Sequence, residues 1–91
     1  MLTAAETALS WPLLEGTEGA LQMFTVFGFP RDYPRHWVVR RMFVLPTGEQ
    51  VSDVVPRLAP DLEGARALVP PGLYCQPRQE GDDPHILEVW F

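Results

Sequence analysis

His36-Trp37-Val38-Val39-Arg40-Arg41-Met42-Phe43-Val44-Leu45 is the longest run of β-branched and aromatic residues in the chain, and such residues suit a pleated, half-buried surface. The run is read as the central strand. Side chains alternate along a strand, so it divides into two faces. One carries Trp37, Val39, Arg41, Phe43 and Leu45, and the other carries His36, Val38, Arg40, Met42 and Val44. Each face is apolar with one arginine near its middle. A strand with one wet face alternates apolar and polar residues, and this one does not. Both faces are therefore expected to be covered, at least in part. One helix can cover one of them, and the other needs a second cover.

The rest of the composition sets bounds on that domain. Ninety-one residues make one small domain, with a stability of roughly 5–14 kcal/mol by per-residue scaling. An apolar fraction of 46% argues against a disordered chain. The net charge of −5 disfavours general nucleic-acid affinity and gives no reason to expect binding to anionic membranes. All seven basic residues are arginine, a bias that a GC-rich genome would produce. Cys75 is the only cysteine, so an intrachain disulfide framework is excluded. The N-terminus has no basic region, and Glu6, Glu15 and Glu18 interrupt its apolar residues; a signal peptide is not expected. No apolar run approaches the roughly 20 residues of a membrane span. These features point to a soluble cytoplasmic protein.

Upstream of the central run, Thr3-Ala4-Ala5-Glu6 has the form of a capping box and predicts a short helix from Ala4. Pro12 biases Trp11 away from helical angles, and Gly16 and Gly19 break the segment after it. Residues 1–22 have two readings. They are a tail, with Met23 as an alternative start, or they dock and use Leu2, Leu9, Trp11, Leu13, Leu14 and Leu21 as the missing cover. The single α+β domain is taken as residues 23–91. Met23-Phe24-Thr25-Val26-Phe27-Gly28-Phe29 is a short strand or an extended apolar arm. Pro30 and Pro34 enclose a loop.

Downstream, Pro46-Thr47-Gly48-Glu49 is a turn signal. Val51 to Leu58 is a weaker strand, and Pro56, lacking a ladder donor, puts it at an edge. Asp61 caps a helix over 62–69 with Leu62, Ala65, Leu68 and Val69 on one face. Gly64 weakens that helix by about 1 kcal/mol relative to alanine. Pro70-Pro71-Gly72 stops it. Two more strands are read at Leu73–Arg78 and His85–Phe91, joined by the turn-rich Gln79-Glu80-Gly81-Asp82-Asp83-Pro84.

The expected fold is α+β, a small four-stranded ββαββ sheet with one helix packed on one face. The two hairpins put the first and last of these strands in the middle, and a right-handed crossover makes them parallel. Leu87 and Val89 form the purely apolar face of the last strand and are assigned to the helix side. Ile86, Glu88 and Trp90 then join the second face. A carboxylate there needs a partner, with Arg41 preferred and Arg40 second.

The segments Val38-Val39-Arg40-Arg41 through Pro46, Glu63-Gly64-Ala65-Arg66-Ala67-Leu68-Val69-Pro70-Pro71-Gly72-Leu73, and Pro77 through Trp90 together resemble a group of short, uncharacterised bacterial proteins. The resemblance covers residues 36–91. It implies a small stand-alone cytoplasmic domain and carries no activity, cofactor or catalytic residue with it.

The residues offer three candidate sites. The first is the second sheet face: Trp37, Arg41, Phe43, Ile86, Glu88 and Trp90. Aromatics and arginine are enriched at interface hot spots, so this face reads as a homodimer surface or a platform for a protein partner, unless residues 1–30 fold back over it as core. The second is an arginine-aromatic window of Phe29, Arg31, Tyr33, Arg35, Trp37, Arg40 and Arg41. Here Arg31, Arg35, Arg40 and Arg41 would bind a small anion or single-stranded bases. The acidic chain and Asp32 within the window oppose this. The third is a metal or hydrolytic site from Asp82, Asp83, His85, His36 and Cys75, for which no spacing matches a defined motif. Cys75 could act as a nucleophile with a histidine, but a lone strand cysteine is more often a small hydrophobe. The expectation is a non-catalytic domain without cofactor or metal. It would work through association, with small-anion or nucleic-acid binding as the alternative.

Overall fold

Phe24 and Val26 lie two residues apart in an extended run, so both side chains leave the same side of the backbone. Burying them calls for strands on both flanks. The computed structural model describes residues 11, 14–53 and 55–91. In it this run is β1 (Leu21–Gly28), a full strand. β2 (Trp37–Val44) lies on one flank and β6 (Ile86–Trp90) on the other, both antiparallel to it. β3 (Gln50–Ser52) and β4 (Arg57–Ala59) share the free side of β2, and β5 (Cys75–Pro77) closes the far edge on β6. α1 (Leu62–Ala67) connects β4 to β5. The capping-box helix predicted from Ala4 falls outside the described residues.

The four-stranded ββαββ expectation is thus corrected to a six-stranded, antiparallel sheet of order β3-β2-β1-β6-β5, with β4 beside β2. Two physical reasons account for the difference. The Met23–Gly28 run sits between β2 and β6, so those strands do not pair, and no parallel crossover is needed. The predicted Val51–Leu58 strand divides in two, because the chain is off the ladder at Asp53 and at Pro56, which could donate no hydrogen bond there.

Register fixes the two faces. Phe24 pairs with Arg41 and with Trp90, Val26 with Val39 and with Glu88, and Trp37 with Ala59. These residues form the inner face. Trp11, Phe24, Val26, Val39, Ala59, Ala65 and Val69 make one buried cluster there, with Trp37, Leu62, Leu68, Leu73 and Trp90 packed around it. Each fully buried valine or phenylalanine contributes about 1.5–3 kcal/mol. The helix docks on this face through the predicted side, Leu62, Ala65, Leu68 and Val69. Asp61 caps it, its Oδ1 accepting from the Gly64 N–H at 2.6 Å. The helix ends at Ala67, and two tighter turn bonds, Leu68 N–H to Ala65 O and Val69 N–H to Arg66 O at 3.1 Å each, finish it.

The face assignment of the last strand is also corrected. Glu88 and Trp90 point to the helix side, and Val89, paired with Thr25, points away from it. Leu87 is 38% exposed and lies at a bulge, where the β1–β6 register shifts between Val26 and Phe27. Alternation alone could not choose between the two parities. The bulk of Trp90 takes the core, and Glu88 is carried inward with it.

Candidate functional site

Two ion pairs mark the inner face, one largely buried on both sides and one between a buried carboxylate and an exposed arginine. Arg41 is 2% exposed. Its Nε and Nη2 donate to the two carboxylate oxygens of Asp53 at 2.6 and 3.1 Å, a two-point match of fork to carboxylate. Its guanidinium carbon lies 4.7 Å from the Phe43 ring centre and 5.4 Å from that of Trp11. Arg57 approaches the same indole at 5.2 Å. Trp11 meets Phe24 edge-on at 5.3 Å, and its indole N–H donates to Leu68 O at 2.6 Å. Leu14 and Thr17 to Ala20 run alongside and, with Arg41 and Phe43, line a cleft of about 250 Å³.

Glu88, 6% exposed, is the second polar centre. Its partner is Arg66 of the helix, donating from Nε and Nη2 at 2.9 and 3.0 Å, and neither Arg41 nor Arg40. Arg41 stands on β2 with β1 between it and β6, a gap of two strand spacings, about 10 Å. Trp90 Nε1 also donates to Glu88 at 3.0 Å, and the Cys75 Sγ lies 3.7 Å from its Oε2. The Arg66 hydrogen bonds hold the Glu88 carboxyl below its ordinary range, against the opposing effect of burial. Burial, followed by the neighbouring Glu88 carboxylate, pushes the Cys75 thiol up. That is the reverse of what activates a thiol nucleophile. Trp37 and Ile86 are half-buried and Phe43 is buried. Trp37, Arg41, Phe43, Glu88 and Trp90 are thus brought onto one face, beneath the helix and Trp11.

The arginine window divides. Arg40 and Arg41 are adjacent in a strand and so project from opposite faces. Arg40 pairs with Asp32. It shares a cleft of about 430 Å³ with Arg31, Asp32, Asp83 and His85, so carboxylates match its arginines. Arg35 is exposed in the turn before β2, and Arg41 is buried. The Asp82–His85 group forms turns: Asp82 accepts from the Gln79 N–H at 2.9 Å and Asp83 from the His85 N–H at 2.8 Å. Among the described residues, no three His, Cys, Asp or Glu side chains stand close enough to hold a metal ion.

The outer face was not among the surfaces expected from the sequence. Its rows are Leu21, Met23, Thr25 and Phe27 on β1, and Val38, Arg40, Met42 and Val44 on β2. Val89 extends it on β6 and Leu58 on β4. Val38 is fully buried at one end. Toward the other end Met23, Met42 and Val44 are half-buried, and Leu21 is 52% exposed. Among the described residues the one α-helix packs on the opposite side. Arg40 is the one charged side chain in these rows, and Asp32 meets it. A clue was present in the sequence: Leu21, Met23 and Phe27 alternate in step with Val38, Met42 and Val44. It was legible only once both strands were known to pair.

No helix among the described residues is long and apolar enough to cross a membrane. Set against protein-family models, curated proteins and solved structures, the chain matches none of them.

Proposed function

We propose that this chain is a non-catalytic cytoplasmic module that associates with protein through the outer face of its sheet. The observation that carries the reading is the row Leu21, Met23, Met42 and Val44. It is apolar, uncharged and left open by the helix. A contiguous apolar patch on one side of a small domain is the usual mark of an interaction surface. The aromatic inner face supports this role less well, because the helix and Trp11 already occupy it. Cytoplasmic placement fits a sole, exposed cysteine. The anion-binding alternative draws little support from arginines that stand on different faces or beside carboxylates.

Site-specific photo-crosslinking in cells tests the reading. A benzophenone side chain at position 42 should give a discrete protein adduct. The same group at position 74, where Tyr74 is 79% exposed, should give none. Equal products at both positions, or none at position 42, would end the proposal.

A further inference from the structure

We infer that the occupant of the outer face is a second copy of this chain, stacked face to face about a two-fold axis. The inference rests on the association reading above and names its partner. Three observations carry it.

The first is charge. Copies of a chain with net charge −5 repel, so self-association needs a surface free of carboxylates. The outer rows of β1 and β2 carry none, and their one cation, Arg40, is neutralised by Asp32 within the chain. Such a face asks for no complementary charge, and its own copy meets it without like-charge contact. The second is area. β1 and β2 are eight residues long, about 26 Å at 3.3 Å per residue. The five strand positions span about 24 Å at 4.8 Å each. β6, β5, β3 and β4 are shorter, so the strand residues cover a plan area of about 480 Å² before side-chain relief is added, against the roughly 800 Å² per partner of a standard stable interface. The third is the condition of the edges. β5 is three residues long and ends in Pro77, and the other edge is broken between β3 and β4. Strand addition at either edge would gain few backbone bonds. Pairing through faces is the geometry left, with the sheets about 10 Å apart and their strands crossed by about 30°. Met23 and Met42, direct cross-strand partners, fill the contact with side chains that adapt to an imperfect match.

Light scattering after gel filtration, over micromolar to submillimolar loading, gives the test. The full chain should elute at twice its 10.3 kDa mass. Met42→Glu should return it to the single-chain mass, with an unchanged far-ultraviolet spectrum. Met42→Thr, which keeps a strand-forming residue, should weaken the dimer at least about tenfold, since the loss counts once on each side of the axis. In the wild type, labelled methyls of Met23 and Met42 should be shielded from a soluble paramagnetic probe. That readout decides the matter even where Met42→Glu does not fold. A monomer with both methyls open to the probe would overturn the second-copy inference and leave the association reading standing. A monomer with both methyls shielded would overturn both. A dimer that survives Met42→Glu, or one with open methyls, would place the contact elsewhere and overturn the inference as well.

Discussion

Asp53→Ala isolates the buried cation of the inner face. The side chain of Arg41 is 2% exposed and that of Asp53 11% exposed. The backbone bond from the Asp53 N–H to Arg41 O at 3.0 Å survives the substitution, so only the carboxylate is removed. Breaking a buried pair from one side costs about 3–5 kcal/mol. The Phe43 and Trp11 rings still face the guanidinium at 4.7 and 5.4 Å, which favours the lower end. The expected loss is about 3 kcal/mol, out of a total stability of roughly 5–14 kcal/mol. In a domain of this size that lowers the melting temperature by about 15 °C. Urea and thermal unfolding, followed by tryptophan fluorescence and circular dichroism, measure both quantities. The double variant Arg41→Met, Asp53→Ala should recover at least about 2 kcal/mol, because an apolar side chain needs no carboxylate. A loss under about 1 kcal/mol for Asp53→Ala, or no recovery in the double variant, would refute the view that this pair is a coupled buried unit.

Two further substitutions test neighbouring parts of the same face. The Glu88 carboxyl is held below its ordinary value near 4.5. Its contribution is therefore present at neutral pH and is lost as pH falls through 4.5 and below. The stability lead of the wild type over Glu88→Gln should narrow as pH falls below about 4.5, and a constant gap in urea melts would contradict the assignment. The same variant removes a charge that raises the Cys75 thiol, so alkylation of Cys75 in the folded protein should quicken; unchanged labelling would mean that the carboxylate does not govern the thiol. Gly64→Ala should fail to give the roughly 1 kcal/mol that helix propensity promises. An added Cβ would sit 2.9 Å from the capping Oδ1 of Asp61 and 3.5 Å from the Ala59 methyl. A full gain in urea unfolding would show that the cap moves aside freely.

Local signals and partner choices were not equally legible in the sequence. The Asp61 cap, the apolar side of the helix, the proline-glycine stop and the turn around Gly48 are set by nearest neighbours, and the structure has each of them. The strand Trp37–Val44 was legible for the same reason. What failed depended on which strand lies beside which. Met23–Phe29 reads as either a short strand or an extended arm, because its hydrogen-bonding partners, Trp37–Val44 and Ile86–Trp90, are separate segments that no local signal ties to it. Once it enters the sheet, β2 and β6 stand two spacings apart, so the expected Arg41–Glu88 pair cannot form. Each charge then takes a partner from the nearest cover, Asp53 beyond the edge strand and Arg66 on the helix.

The same step explains the candidate surface. The observation that both faces of the central strand are apolar was sound, but it could not say which face the chain closes for itself. From the sequence, the aromatic residues of the second sheet face read either as an open hot spot or as core under residues 1–30. They are equally the residues that bury most area in a small core, and Trp11 and Trp90 do so here. Indole N–H groups require partners when buried, and the helix end and the sheet supply them: Leu68 O for Trp11 and the Glu88 carboxylate for Trp90. A methionine, leucine and valine row makes no such demand and can wait for an external cover without an unsatisfied group. Polar satisfaction, more than apolar content, therefore separates the face filled by Trp11 and the helix from the one proposed to take a partner. That criterion becomes usable only when strand pairing has put the hydrogen-bond partners within reach.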